Sequence, residues 1–154
     1  MRSWQAWSLV VVQFVFLGLL IALPQGSLYP VGGVVTGITM ALVGGGVLLG
    51  VIAGARLGGS LTPSPIPRES GELATSGVYR FVRHPIYSAL LLIGLGLAIR
   101  GASLLHVLLF VALLALLEVK ARAEESMLRV KFEGYASYAA QVGRFIPGVG
   151  TIRD

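Results

Sequence analysis

The chain has 154 residues, of which 55% are hydrophobic and only 12% charged, and its mean hydropathy is +0.83. A soluble domain averages about 25% charged residues, so this composition argues against a soluble enzyme, a disordered tail or a nucleic-acid module and favours a polytopic membrane protein. The sequence has no cysteine and two histidines, His84 and His106, and carries a net charge of +5. It therefore has no disulfide and no thiol nucleophile, and a metal site is not expected.

A membrane helix needs about 20 apolar residues to cross a ~30 Å core. The first candidate runs from Trp4 to Leu23 and stops at Pro24-Gln25-Gly26. Arg2 before an apolar stretch also fits a cleaved signal peptide, but this run is longer than a signal h-region and no Ala-x-Ala site follows it. The second span runs from about Val31 to Ala55 and carries Gly46, Gly50, Gly54 and Gly58, four apart on one face. Such a stripe permits close helix contact, with another helix of the same chain or with a second copy in a homodimer. A polar stretch from Arg56 to Pro85 follows, with Pro63, Pro65 and Pro67. The apolar runs Ile86–Ile99 and Leu104–Leu117 come next, separated by Arg100-Gly101. They read as a helical hairpin whose short arms borrow turns from their flanks, with Arg100 snorkelling to the interface.

The expected fold is all-α: about four transmembrane helices, the last two a hairpin, then a C-terminal helix and tail. Residues 1–55 hold the two N-terminal spans and 56–154 the functional core. Arg2, Arg56, Arg68, Arg80, Arg83, Lys120, Arg122, Arg129, Lys131, Arg144 and Arg153 fall on one side of this topology, and only Arg100 on the other. The positive-inside rule puts that basic side, with both termini, in the cytoplasm. Membrane placement thus accounts for the basic excess without a nucleic-acid partner.

Polar residues at the membrane boundary fall in two clusters. In the first, Ser76 to Tyr87, Pro85 suits the first turn of a helix. His84 then lies at a helix N-terminus, a place that attracts a carboxylate or another anion. Arg80, Arg83 and His84 could equally anchor the helix at anionic headgroups. In the second, Glu118–Arg122 and Glu125–Arg129 are i, i+4 pairs, and Lys120–Glu124 is one of reversed sign. Most of this cluster reads as a solvated helix extension laced with ion pairs. Adjacent helical residues diverge by ~100°, so Glu124 and Glu125 point in different directions.

Tyr79-Arg-Phe-Val-Arg-His-Pro-Ile-Tyr87 resembles the YRxxRHPxY signature of the isoprenylcysteine carboxyl methyltransferase-like family of integral-membrane methyltransferases. Glu124-Glu125-x-x-Leu128 resembles its EExxL element. Tyr138 to Pro147, with Val142, Arg144, Phe145 and Ile146, resembles its closing element, and the likeness covers about Gly58 to Pro147. Phe132-Glu133-Gly134-Tyr135 is one residue tighter than the family's Phe-Gly-x-x-Tyr step. Ser88-Ala89 follow Tyr87, where the family often has a glycine.

The resemblance implies an inner-membrane, S-adenosylmethionine-dependent methyltransferase whose cofactor pocket is cytoplasmic. It implies cofactor contacts from Val78, Tyr79, His84, Pro85, Tyr87, Glu124, Glu125, Tyr138 and Pro147, with the tail as a lid, and catalytic roles for Arg83, Glu124 and Arg144. The implied acceptor is an amphiphile reached from the bilayer: an isoprenylcysteine carboxylate by resemblance, or a phospholipid amine or small thiol. An amine or thiol must lose a proton, for which His84 or a glutamate is the nearby candidate. A non-catalytic membrane scaffold accounts for the glycine stripe but not for three ordered motifs. A transporter is disfavoured because no charge sits in the middle of a span.

Overall fold

The computed structural model describes residues 3–60, 62, 66 and 73–152. Arg2, Arg68 and Arg153 of the charge partition, and Pro63, Pro65 and Pro67, lie outside them. The described chain is helical: α1 (Ser3–Ala22), α2 (Gly33–Leu57), α3 (Pro85–Gly101), α4 (Leu104–Lys131) and a short α5 (Tyr135–Gln141). Among the described residues no strand forms, only isolated bridges. Helices α1, α2 and α4 are long and apolar enough to cross a membrane. The apolar α3 has 17 residues, about 26 Å of helix.

The last two apolar runs are longer than their hydrophobic cores suggested. Helix α3 extends to Gly101, and α4 runs unbroken for 28 residues through the charged segment. They do form a hairpin. Ala102 takes the left-handed conformation at φ 42°, and Ser103 caps α4, its Oγ accepting from the His106 N–H at 3.3 Å. Gly101 is required there because a Cβ would run into the His106 ring.

The α1–α2 connection closes the other side of this turn. The backbone N–H groups of Gly26 and Leu28 donate to the carbonyls of Gly101 and Ala102. The Gln25 amide and Tyr29 hydroxyl donate to the carbonyls of Arg100 and Ile99. Carbonyls that the end of α3 leaves without helical partners are thereby satisfied.

Helices α2 and α3 run antiparallel in the most extensive contact of the bundle. A Cβ at Gly46 would strike the Ala89 carbonyl and Ile93, and Gly50 faces the Ala89 methyl. Thr39 Oγ1 donates to the Gly96 carbonyl at 3.2 Å. The glycine face offered to a second copy is therefore filled by α3 of the same chain, and Gly58 lies past the helix as its C-cap. Helix α1 packs on α4 and α3, with Ala6, Val10 and Leu20 buried. The core joins Leu20, Tyr87, Ala98, Leu113, Leu117 and Ala121. It puts the end of α2, the start of α3 and the polar half of α4 at one end of the bundle. Arg100 sits at the other, beside the Gln25–Tyr29 turn.

Candidate active site

The site grows from the backbone around Pro85. With Pro85 at the first helical position and His84 as N-cap, α3 starts without needing a proline N–H. The preceding residues are extended enough to pair with the tail. Val82 bridges Gly143, the Arg83 and His84 N–H groups donate to the carbonyls of Gly143 and Arg144, and Ser88 Oγ donates to the Phe145 carbonyl at 2.7 Å. Two motifs some 60 residues apart thus become one layer.

The third motif meets them through Glu125, which is 3% exposed. Its Oε1 accepts from Arg83 Nε at 2.9 Å and Nη2 at 2.8 Å, from His84 Nε2 at 3.2 Å and from Arg144 Nε at 3.1 Å. Its Oε2 accepts from Arg144 Nη2 at 2.8 Å. Arg83 also donates to the carbonyls of Ala139, Val142 and Gly150, and Arg144 pairs with Glu118. Glu125, which spacing suggested as a surface residue, is instead the centre of this buried network. Spacing does hold for Glu118–Arg122, at 2.9 Å.

Glu124, one residue earlier, faces a pocket. Its Oε2 accepts from the Tyr87 hydroxyl at 3.0 Å and lies 3.5 Å from His84 Nδ1. The imidazole is buried and stacks on the Tyr87 ring, centroids 5.2 Å apart, with Phe145 edge-on to both. Burial opposes the imidazolium, but hydrogen bonds and charge from Glu124 and Glu125 outweigh it and raise the His84 pKa. With both ring nitrogens directed at carboxylates, His84 is placed to donate to both.

Burial pushes the Tyr79 phenol up and takes the Tyr138 phenol to about 12, so both stay neutral hydroxyls near neutral pH. Tyr138 donates to the Tyr79 carbonyl at 2.5 Å, and Tyr79 to the Ala53 carbonyl at 3.4 Å. For Arg144, burial opposes the charge but Glu125 and Glu118 outweigh it and raise the pKa.

The pocket measures about 280 Å³ and is lined by Tyr79, Arg83, His84, Pro85, Tyr87, Lys120 and Glu124, with Gln13 and Phe14 of α1 and Leu57 of α2. That is just below the ~300–1,000 Å³ usual for small-molecule sites. Of the residues singled out in the sequence, Arg83, His84, Tyr79, Pro85, Tyr87 and Glu124 share this pocket. Glu125, Arg144 and Tyr138 stand behind it as supports. Val78 and Pro147 line a different, apolar pocket of about 530 Å³ across α3, with Leu91, Leu95, Phe110 and Phe145. Lys120 and Gln13 were not foreseen as site residues. Lys120 is 1% exposed rather than solvated, and its Nζ donates to Gln13 Oε1 at 2.5 Å. A glutamine inside an otherwise apolar span was the available signal.

The architecture is that of an apolar helix bundle with a buried ionic and aromatic site at one end, a membrane protein built around a polar pocket. The family model for phospholipid methyltransferases matches residues 34–134, and the chain belongs to that family, part of the isoprenylcysteine carboxyl methyltransferase-like group of integral-membrane methyltransferases. The match runs from α2 to the end of α4. The tail that closes on it lies beyond. No curated protein matches the chain.

Proposed function

We propose that the protein is an S-adenosylmethionine-dependent methyltransferase that methylates a phospholipid-like amphiphile at the cytoplasmic face of the inner membrane. The observation that carries this is the convergence of three separate motifs on the Glu124–Glu125 pair beside a pocket. A scaffold would have little use for so many buried charges, because burying ions is costly and hydrophobic residues of like volume stabilise as well.

The pocket suits the cofactor. Its lining brings the Tyr87 ring and the Glu124 carboxylate together, an aromatic face and an anion of the kind that attract a cationic sulfonium. His84, Tyr87, Glu124 and Tyr79 are the residues to hold it. The cofactor supplies a methyl group on a sulfonium, already activated for in-line displacement. The chain's own part is positioning and exclusion of water. Glu125 locks Arg83, His84 and Arg144; His84 orients Glu124; Glu124 can accept the proton an amine acceptor must lose. The apolar pocket under Phe145 and Pro147 can take an alkyl chain arriving sideways from the bilayer.

The family favours a phospholipid amine over the isoprenylcysteine carboxylate or a small thiol. Labelled S-adenosylmethionine should be offered with vesicles of phosphatidylethanolamine, with a prenylated cysteine and with a short thiol. Label in the phospholipid headgroup is expected. Label only in a water-soluble acceptor, or in none, would overturn the proposal.

A further inference from the structure

The polar pocket and the apolar pocket lie on different faces of the same helix. Ile86, Tyr87 and Leu90 of α3 line the first, and Ser88, Leu91 and Leu95 line the second. Methyl transfer needs the donor carbon and the accepting atom aligned and about 3–3.5 Å apart. A cofactor in one pocket and an acceptor chain in the other therefore meet only where the wall between them gives way. Phe145 stands in that wall. It lines the apolar pocket, and its ring is edge-on to those of His84 and Tyr87, with centroids 6.2 and 6.4 Å away. His84 and Tyr87 in turn line the polar pocket.

We infer that the Phe145 ring is the partition between cofactor and acceptor, and a specificity-determining residue for the transfer. This partition rests on the cofactor and acceptor assignments above. The backbone at Phe145 is held in place: its carbonyl accepts from Ser88 Oγ at 2.7 Å, and the adjoining Arg144 carbonyl accepts from the His84 N–H. The half-buried ring is the part free to turn. In place, it joins the His84 and Tyr87 rings in closing the polar pocket against lipid tails. Turned aside, it lets the acceptor's reactive end pass beside Tyr87, whose hydroxyl is bonded to Glu124. The bulk of residue 145 then sets how wide an acceptor can be next to its reactive atom. Phe145 also rests on the core around Tyr87 and Leu117, and a packing role alone predicts a change in stability without a change in selectivity.

The test uses detergent-purified full-length protein and unreactive analogues of the cofactor in which a protonated tertiary amine replaces the sulfonium. The amine carries a methyl group, a linear dodecyl chain, or a dodecyl chain joined through its sixth carbon. Such a chain runs from the methyl position across the partition into the apolar pocket, so binding alone reads the passage. Affinities are measured by calorimetric titration for wild type, Phe145→Trp and Phe145→Leu, with the thermal midpoint of each protein taken alongside. Partition of the chains into detergent is common to the three proteins and cancels between them. Each CH₂ buried in the apolar pocket adds about fourfold in affinity. In Phe145→Trp the preference for linear dodecyl over methyl is expected to fall about 10- to 100-fold. In Phe145→Leu the branched chain should gain about tenfold or more on the linear one. The methyl analogue should bind all three proteins within about twofold. Wild-type preferences among the chains in either folded variant, or an equal change for all three analogues, would overturn the partition while leaving the cofactor pocket standing. A folded wild type that binds none of the analogues would overturn it together with the cofactor assignment.

Discussion

Glu125 accepts hydrogen bonds from Arg83, His84 and Arg144 at once, and so joins α4 both to the segment before α3 and to the tail. Glu125→Ala should therefore cost roughly 3–5 kcal/mol, the scale for breaking a buried charge network, seen as a lowered thermal midpoint in detergent. Arg122→Ala, on a side chain that is 71% exposed, should change stability by less than about 0.5 kcal/mol. His84 sets the sign of a pH effect. Its native pKa is raised, so the stability it contributes is full below its unfolded pKa of about 6.5 and is lost as pH rises through the native value. The difference in thermal midpoint between wild type and His84→Gln should accordingly be largest in mild acid and shrink on the alkaline side. A difference that grows with pH would mean His84 is held neutral. Most of these residues were visible as motifs, but their division of labour was not. Spacing offered Glu125 a partner in Arg129, and only the helix's rotation against α3 and the tail decides that Glu125 turns inward and Glu124 toward the pocket.

At the level of elements, the decisive one is α4. Leu113, Leu117, Ala121 and Glu125 recur every four residues and are all buried, so the packed stripe passes unbroken from the apolar half into the charged half. The stripe is present in the sequence. Alternating charge masks it, because i, i+4 ion pairs fit a solvated helix equally well. The hairpin and the glycine contact were easier to read, since both depend on local residue size. Their partner was not, for a small-residue stripe says only that something approaches closely. The α2–α3 contact predicts a sharp contrast. Gly46→Val should destabilise by about 1–3 kcal/mol, as overpacking does, because its Cβ meets the Ala89 carbonyl and Ile93. Gly44→Ala, where a Cβ meets nothing within 4 Å, should be neutral or mildly stabilising. Equal effects in a chemical-denaturation comparison would contradict the packing.

For the whole molecule, hydropathy alone indicated a helical bundle, and the split of basic residues indicated its sidedness. The sequence could not say how three motifs spread over some 70 residues meet, because that depends on the tail adding its backbone to the segment before Pro85. The proposed topology predicts that a reporter at the C-terminus lies on the cytoplasmic side and one in the Gln25–Pro30 turn on the opposite side. Reporters on the same side would rule out an odd number of spans between them, and with it this topology. The central claim is that the converged motifs form a cofactor pocket, and calorimetric titration of S-adenosylhomocysteine into purified protein tests it most directly. Wild type should bind, and Glu124→Ala, which removes a pocket carboxylate while sparing the Glu125 network, should weaken binding by about 10- to 150-fold. No binding by folded wild-type protein, or equal affinity in the folded variant, would contradict it.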